Sequence, residues 1–329
     1  MTHRSRLAVV TWTALSAACA LPALADTYTV LPDGTGDFPT IEAAVDAAVA
    51  GDVIELGDGV FTGDGNRELR VEENLTIRSQ SGDPSTCVID CEGSEDSYAL
   101  SFSGSVSRDA ILEDVTIRGA RAGAILVLLA SPTIRGCVLQ DNEGTFGGAI
   151  QTDGGPLIDG CLITGNRARQ GAAIRASFTL TIEIRNTTIA HNAAERGGAI
   201  FGEVATIEVD RSIIWGNCAS ESGDQVEIMK SSSLVLTCSL VDDTGVLDPD
   251  NSVVYGNATT FEDPLFCDPA PCGSAPTTAG VYTIATGSPA SADQSACGER
   301  IGALGIGCKA TPTLGVSWGS LKGQYATGQ

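Results

Sequence analysis

The sequence predicts an all-β protein built as a parallel β-helix, a solenoid of short stacked strands. Three observations carry this reading. Segments of the type Gly-Gly-Ala-Ile recur, with their isoleucines at Ile125, Ile150, Ile174 and Ile200. Three further columns keep that register: Ile134, Ile158, Ile184, Val209, Leu236; Ile117, Leu139, Ile163, Ile189, Ile214; and Asn142, Asn166, Asn192, Asn217. Each unit of about 25 residues holds three short alternating strands separated by Gly and Asn turns, with no helix-length segment. A repeat of that size, too small to bury a core alone, gains stability by stacking on its neighbours.

Stacked coils sit ~4.8 Å apart, so like residues fall above one another. The isoleucine columns then build a continuous aliphatic core. The Asn column follows a strand end, where a left-handed residue is expected, and its amides can bond along the axis. Cys137 and Cys161 share a column with Thr187 and Ser212, as a disulfide or as two packed thiols. Arg135, Asp159, Arg185 and Asp210 alternate in sign on successive rungs, an expected outward ion-pair ladder.

Composition agrees with a narrow aliphatic core: 39 of 329 residues are Gly and aromatics make up 5%. Apolar content of 43% excludes wholesale disorder. The formal net charge of −22 argues against nucleic acid or an anionic membrane as partner. An acidic glycan would need calcium as a bridge.

Residues 1–25 read as a secretory signal. His3, Arg4 and Arg6 precede an apolar run from Leu7 to Leu21, and Ala23-Leu24-Ala25 has the small-x-small cleavage pattern. Cleavage before Asp26 deepens the net charge by two and removes Cys19 from the 11 cysteines, leaving an even number. No later segment is apolar for long enough to span a bilayer as a helix. Secretion or display at the cell surface or outer membrane is the expected destination. An even cysteine count in an exported chain suggests disulfides, with connectivity open. The close pairs are Cys87/Cys91, Cys267/Cys272 and Cys297/Cys308.

The segment after the leader is of another kind. Ile41, Ala44, Val45, Ala48 and Val49 form an amphipathic helical stripe, with Thr40 as N-cap and Gly51 as stop. Laid over the first coil, such a helix would cover the open end of the solenoid. The expected organisation is therefore leader 1–25, cap and first strands 26–60, solenoid 61–260, Cys-rich segment 261–310 and tail 311–329.

Asp33-Gly34-Thr35-Gly36-Asp37-Phe38, followed by Thr40-Ile41 and Ala44-Val45, resembles the opening of pectate-lyase-like right-handed β-helix proteins, including pectin methylesterases. The repeats between residues 113 and 240 resemble those of polymorphic outer-membrane adhesin-type proteins. Asp263-Pro264-Leu265-Phe266 and Ile301-Gly302-Ala303-Leu304-Gly305 resemble the closing segment of exported bacterial β-helix proteins. Ser317-Trp318-Gly319-Ser320-Leu321-Lys322 looks like a short C-terminal sorting tag. The resemblance implies a right-handed parallel β-helix and export.

No complete catalytic constellation follows from it. The paired-Asp and Gly-His signatures of polygalacturonases are absent, and so is the methylesterase set of Asp, Gln and Arg. If Ile150, Ile174 and Ile200 point inward, then Ala149/Gln151, Ala173/Arg175 and Ala199/Phe201 point outward. Gln151, Arg175 and Phe201 give an amide, a cation and a stacking face, suited to a polysaccharide or surface glycan. The enzymatic alternative is a calcium-dependent polysaccharide lyase, with Arg175 as base and Asp153 and Glu203 as Ca2+ ligands. A structural envelope component is the third reading. His191 reads as a solvated turn residue. Asp242, Asp243, Asp248 and Asp250 read as a loose calcium site or a solvated loop.

Overall fold

A computed structural model describes residues 25–93, 98–178, 180–229 and 231–309. Most of the expected leader and the expected tail lie outside the described residues. Within one coil the chain runs Thr133–Arg135, Val138–Gln140, Glu143–Phe146 and Ile150–Thr152, and re-enters the first sheet at Leu157–Asp159. Stacking of such coils builds four parallel sheets. In coil order, sheet I has ten strands, sheet II eight, sheet III four and sheet IV eight. Sheet III is an addition to the three strands per unit expected from the sequence. Its strands, Glu143–Phe146, Arg167–Gln170, Ala193–Arg196 and Cys218–Ser222, are polar and Gly/Ala-rich. They pair because stacking supplies a backbone partner on each side, whatever the side chains.

Residues Ile125, Ile150, Ile174, Ile200 and Val226 are in direct register along sheet IV. The uneven repeat lengths are therefore absorbed in the turns. These residues are buried, as are the columns through Ile134 and Leu139, and one continuous core runs from Val30 to Val241. The Gly-Gly pair makes the corner between sheets III and IV possible. A Cβ on Gly198 would lie 2.1 Å from the Asp224 carbonyl oxygen, and one on Gly148 2.5 Å from that of Arg167. Neither neighbour is a side chain that can swing away. Gly198→Ala is expected to lower stability by about 1–3 kcal/mol, read as a fall in melting temperature against the parent.

The Asn ladder forms, with one correction. The left-handed residues are those just before each Asn: Asp141, Gly165, His191 and Gly216, with φ of 55°, 60°, 55° and 65°. Each Asn side chain then turns inward and is buried. Asn142 donates through Nδ2 to Asn166 Oδ1 at 3.1 Å, Asn166 to Asn192 at 2.9 Å and Asn192 to Asn217 at 3.0 Å. Asn217 passes the chain to Gln225 at 2.8 Å. The neighbouring column, Cys137 and Cys161, consists of free buried thiols rather than a bridge.

Arg135, Asp159, Arg185 and Asp210 are in register on sheet I. The column extends back through Glu113, Arg78 and Glu55. Its ion pairs differ from expectation. Arg135 reaches back to Glu113 at 2.8 Å and Arg78 to Glu55 at 2.5 Å, whereas Asp159 accepts from Asn186.

Helix α1 spans Ile41–Ala47, with Thr40 accepting from the Ala43 amide. It buries Ile41, Ala44 and Val45 over the first coils. The chain leaves the helix at Ala48 rather than Gly51, so Val49 is exposed instead of joining the apolar stripe. At the other end, residues 261–308 do not continue the stack. They form a three-stranded sheet and a second small core against the outer face of sheet II, through Ile213, Leu240, Ile284, Ala290 and Ile301.

Two disulfides, Cys218–Cys272 and Cys238–Cys297, fasten this segment to the solenoid, and a third, Cys267–Cys308, closes the segment on itself. The sequence-adjacent pairs Cys267/Cys272 and Cys297/Cys308 are therefore each split between two bridges. Cys87 and Cys91 are free and buried, and burial pushes both thiols up to about 12.

Candidate functional site

The tight Gly-Gly corner brings sheet III against the outer side of sheet IV. Phe146, Gln170, Arg196 and Ser222 form one column of sheet III. Opposite them stand Gln151, Arg175, Phe201 and Glu227 of sheet IV. The two columns interlock. The Arg175 guanidinium lies 4.6 Å from the Phe146 ring centre, and its Nε donates to Gln170 at 3.4 Å. Arg196 stacks on Phe201 at 5.1 Å and donates to Glu227, which also accepts from Ser222 at 2.7 Å. That hydrogen bond is the main reason the Arg196 pKa lies above its ordinary value.

The face expected to meet a ligand is therefore covered. Phe201 is 2% exposed, and Ala149, Ala173 and Ala199 are fully buried. Gln151 accepts from the Tyr98 hydroxyl at 2.6 Å. Arg175 is held by Ser177 at 2.5 Å and by Glu203 at 3.2 Å. The residues suggested for a calcium-assisted reaction are not brought together. Asp153 leans back one coil to accept from the Leu129 amide at 2.7 Å, whereas Glu203 leans toward Arg175. Thr152 pairs Ala176, which pairs Gly202, so their backbones stand two rungs apart, about 10 Å. Among the described residues there is no group of three or more His, Cys, Asp or Glu side chains placed to hold a metal.

The later acidic cluster serves the backbone. Asp242 accepts from the Thr244 amide, and Asp248 from the Ser252 and Val253 amides. Burial pushes the Asp248 carboxyl up, but hydrogen bonds from Ser252, Val253 and Asp250 together hold it below its usual range.

The exposed face of sheet III carries a different site. A trough of about 800 Å³ runs across all four strands of this sheet. The column Gly144, Ala168, Ala194 and Ala219 turns into the corner. A Cβ on Gly144 would meet the Gly147 and Ala122 carbonyl oxygens, so the outer surface is carried by the flanking columns through Arg167 and Arg169. The polar lining of the trough includes Arg121, Glu143, Arg167, Arg169 and Glu195. Arg169 pairs with Glu195 at 3.1 Å, and Arg121 donates to the Asp141 carbonyl at 3.0 Å. Burial raises the Asp141 pKa, against the opposing charge of Arg121. Arg167 is exposed and has no ion-pair partner among the described residues. Three guanidiniums in one trough are a local exception to the acidity of the whole chain. Sequence reading missed this surface because Arg-Ala-Arg-Gln and its relatives look like solvated turns until stacking makes them a sheet.

Among solved structures, the crystal structure of pectate lyase Pel9A is similar over 87% of this chain and 97% of that chain, at 11% identity and a TM-score of 0.37. No curated protein sequence matches the chain. A family model described as the right-handed β-helix region matches residues 74–241, more than half of the sequence, and the chain belongs to that right-handed β-helix family.

Proposed function

We propose that the protein is an exported, cell-surface carbohydrate-binding β-helix whose sheet III trough takes an extended glycan. The observation that carries this reading is the trough itself. It is open and polar and built from four consecutive coils, so it extends over about 14 Å at the strand spacing. Arginine forks and carboxylates on successive rungs supply both donors and acceptors for hydroxyl or acidic groups. Export is supported by the leader-like residues 1–25 and by three disulfides, which persist in oxidising compartments. No helix among the described residues is long and apolar enough to cross a membrane.

A glycan array probed with the leader-free protein tests the reading. Binding is expected, and Arg167→Ala and Arg169→Ala should each weaken it about tenfold, the loss of one charge-assisted hydrogen bond. Absorbance from unsaturated products is followed in parallel on acidic polysaccharides with calcium. Product formation abolished by Arg175→Ala would replace this proposal with the lyase. Failure to bind any glycan would leave the structural envelope role.

A further inference from the structure

A second cavity, of about 450 Å³, lies between the solenoid and the C-terminal segment. The solenoid contributes His191 and Trp215, the segment contributes Asp263, Phe266 and Lys309, and the Cys267–Cys308 bridge forms part of the wall. His191 is not the solvated turn residue its sequence position suggests. Its ring lies against Gly216, where a Cβ would come within 2.5 Å of Nε2. It also meets the rings of Tyr282 and Phe266, at 5.5 and 6.1 Å between centres. Its Nδ1 is buried and has no hydrogen-bond partner among the described residues. Burial lowers the imidazole pKa, against an opposing pull from Asp263, which keeps the ring neutral at neutral pH. Asp263 uses one oxygen to accept from the Leu265 amide at 2.8 Å, which leaves the other to a ligand.

The cavity therefore offers aromatic walls, an unused carboxylate oxygen and an ammonium, with the His191 ring packed behind them and its nitrogens turned away from the open space. Its two charges are of opposite sign and balance, which disfavours a charged ligand. Aromatic walls favour a ring with an apolar face, and the polar groups favour a ring edged with hydroxyls. We propose that this cavity binds a single neutral pyranose ring, independently of the trough on sheet III. The sugar's C–H face rests on Trp215 and Phe266, and its hydroxyls meet Asp263 and Lys309.

The test titrates the leader-free protein with the methyl glycosides of glucose, galactose, mannose and N-acetylglucosamine, and with p-cresol as an aromatic without the hydroxyl pattern. Binding is read by calorimetry and by saturation transfer to the sugar protons. At least one glycoside is expected to bind. Its affinity should fall about tenfold or more in Asp263→Asn, which keeps the capping carbonyl but turns the free acceptor into a donor. The same loss is expected in Ala285→Leu, which fills the cavity, whereas Arg167→Ala should leave affinity unchanged. The proposal is overturned if no glycoside binds, if only p-cresol binds, or if Asp263→Asn binds the sugar as well as the parent.

Discussion

Asn166→Leu is expected to melt about 10 °C below the parent protein, although the two side chains are similar in size. The Asn166 side chain makes five bonds inside the stack. Its Oδ1 accepts from the Asn142 amide and from Asn142 Nδ2, both at 3.1 Å. Its Nδ2 donates to the Leu139 carbonyl at 2.9 Å, the Thr164 carbonyl at 3.1 Å and Asn192 Oδ1 at 2.9 Å. Leucine would leave the Asn142 amide and the two carbonyls without these partners in a site closed to water. At about 1–3 kcal/mol for each buried polar group left unsatisfied, the loss is roughly 3–5 kcal/mol. Asn166→Asp separates the two halves of the effect, because a carboxylate still accepts from Asn142 but donates to neither carbonyl. Gln225→Leu, at the ladder's end, should cost less, since it frees only the partners at Asn217. A melting temperature for Asn166→Leu within two degrees of the parent would sink the idea that the ladder holds the coils together.

The columns were legible in the sequence because a stacked coil places each residue above its own kind. Ile150 over Ile174 over Ile200 is one alignment in sequence and in space. The same logic found the Asn ladder and then misplaced its turn. Preference for left-handed backbone pointed to Asn, but the fold gives that conformation to the preceding residue and uses the amide inside. Sheet III escaped notice because its strands bury no large apolar column. Disulfide pairing escaped for another reason: it depends on where residues 261–308 fold back onto sheet II, and local spacing holds no record of that. The covered face of sheet IV did leave a signal. Gln170 meets Arg175, Arg196 meets Phe201 and Ser222 meets Glu227, each at an offset of five residues across the glycine corner. That constant offset of complementary partners, read together with the Gly-Gly pair, identifies a folded corner rather than an open binding face.

Reduction of the three disulfides should release the C-terminal segment while leaving the solenoid folded. The bridges close spans of 54, 59 and 41 residues, and cross-links over loops of this size contribute about 4 kcal/mol each on the chain-entropy account. The core they secure is small: Ile213, Leu240, Ile284, Ala290, Ile301 and Cys238. The main core shares none of these residues, so the coils lose little support when the segment detaches. Limited proteolysis before and after reduction reads the difference. Cleavage between residues 261 and 308 should appear only after reduction, with the stretch from 26 to about 250 resistant throughout. Cys87 and Cys91, whose thiols burial holds near 12, should resist alkylation until the coils themselves unfold. Release of the segment also removes one wall of the cavity beside His191, so pyranose binding there should vanish on reduction while the trough keeps its ligand. A segment that stays protease-resistant after full reduction would mean that its own core, rather than the bridges, fixes it to sheet II.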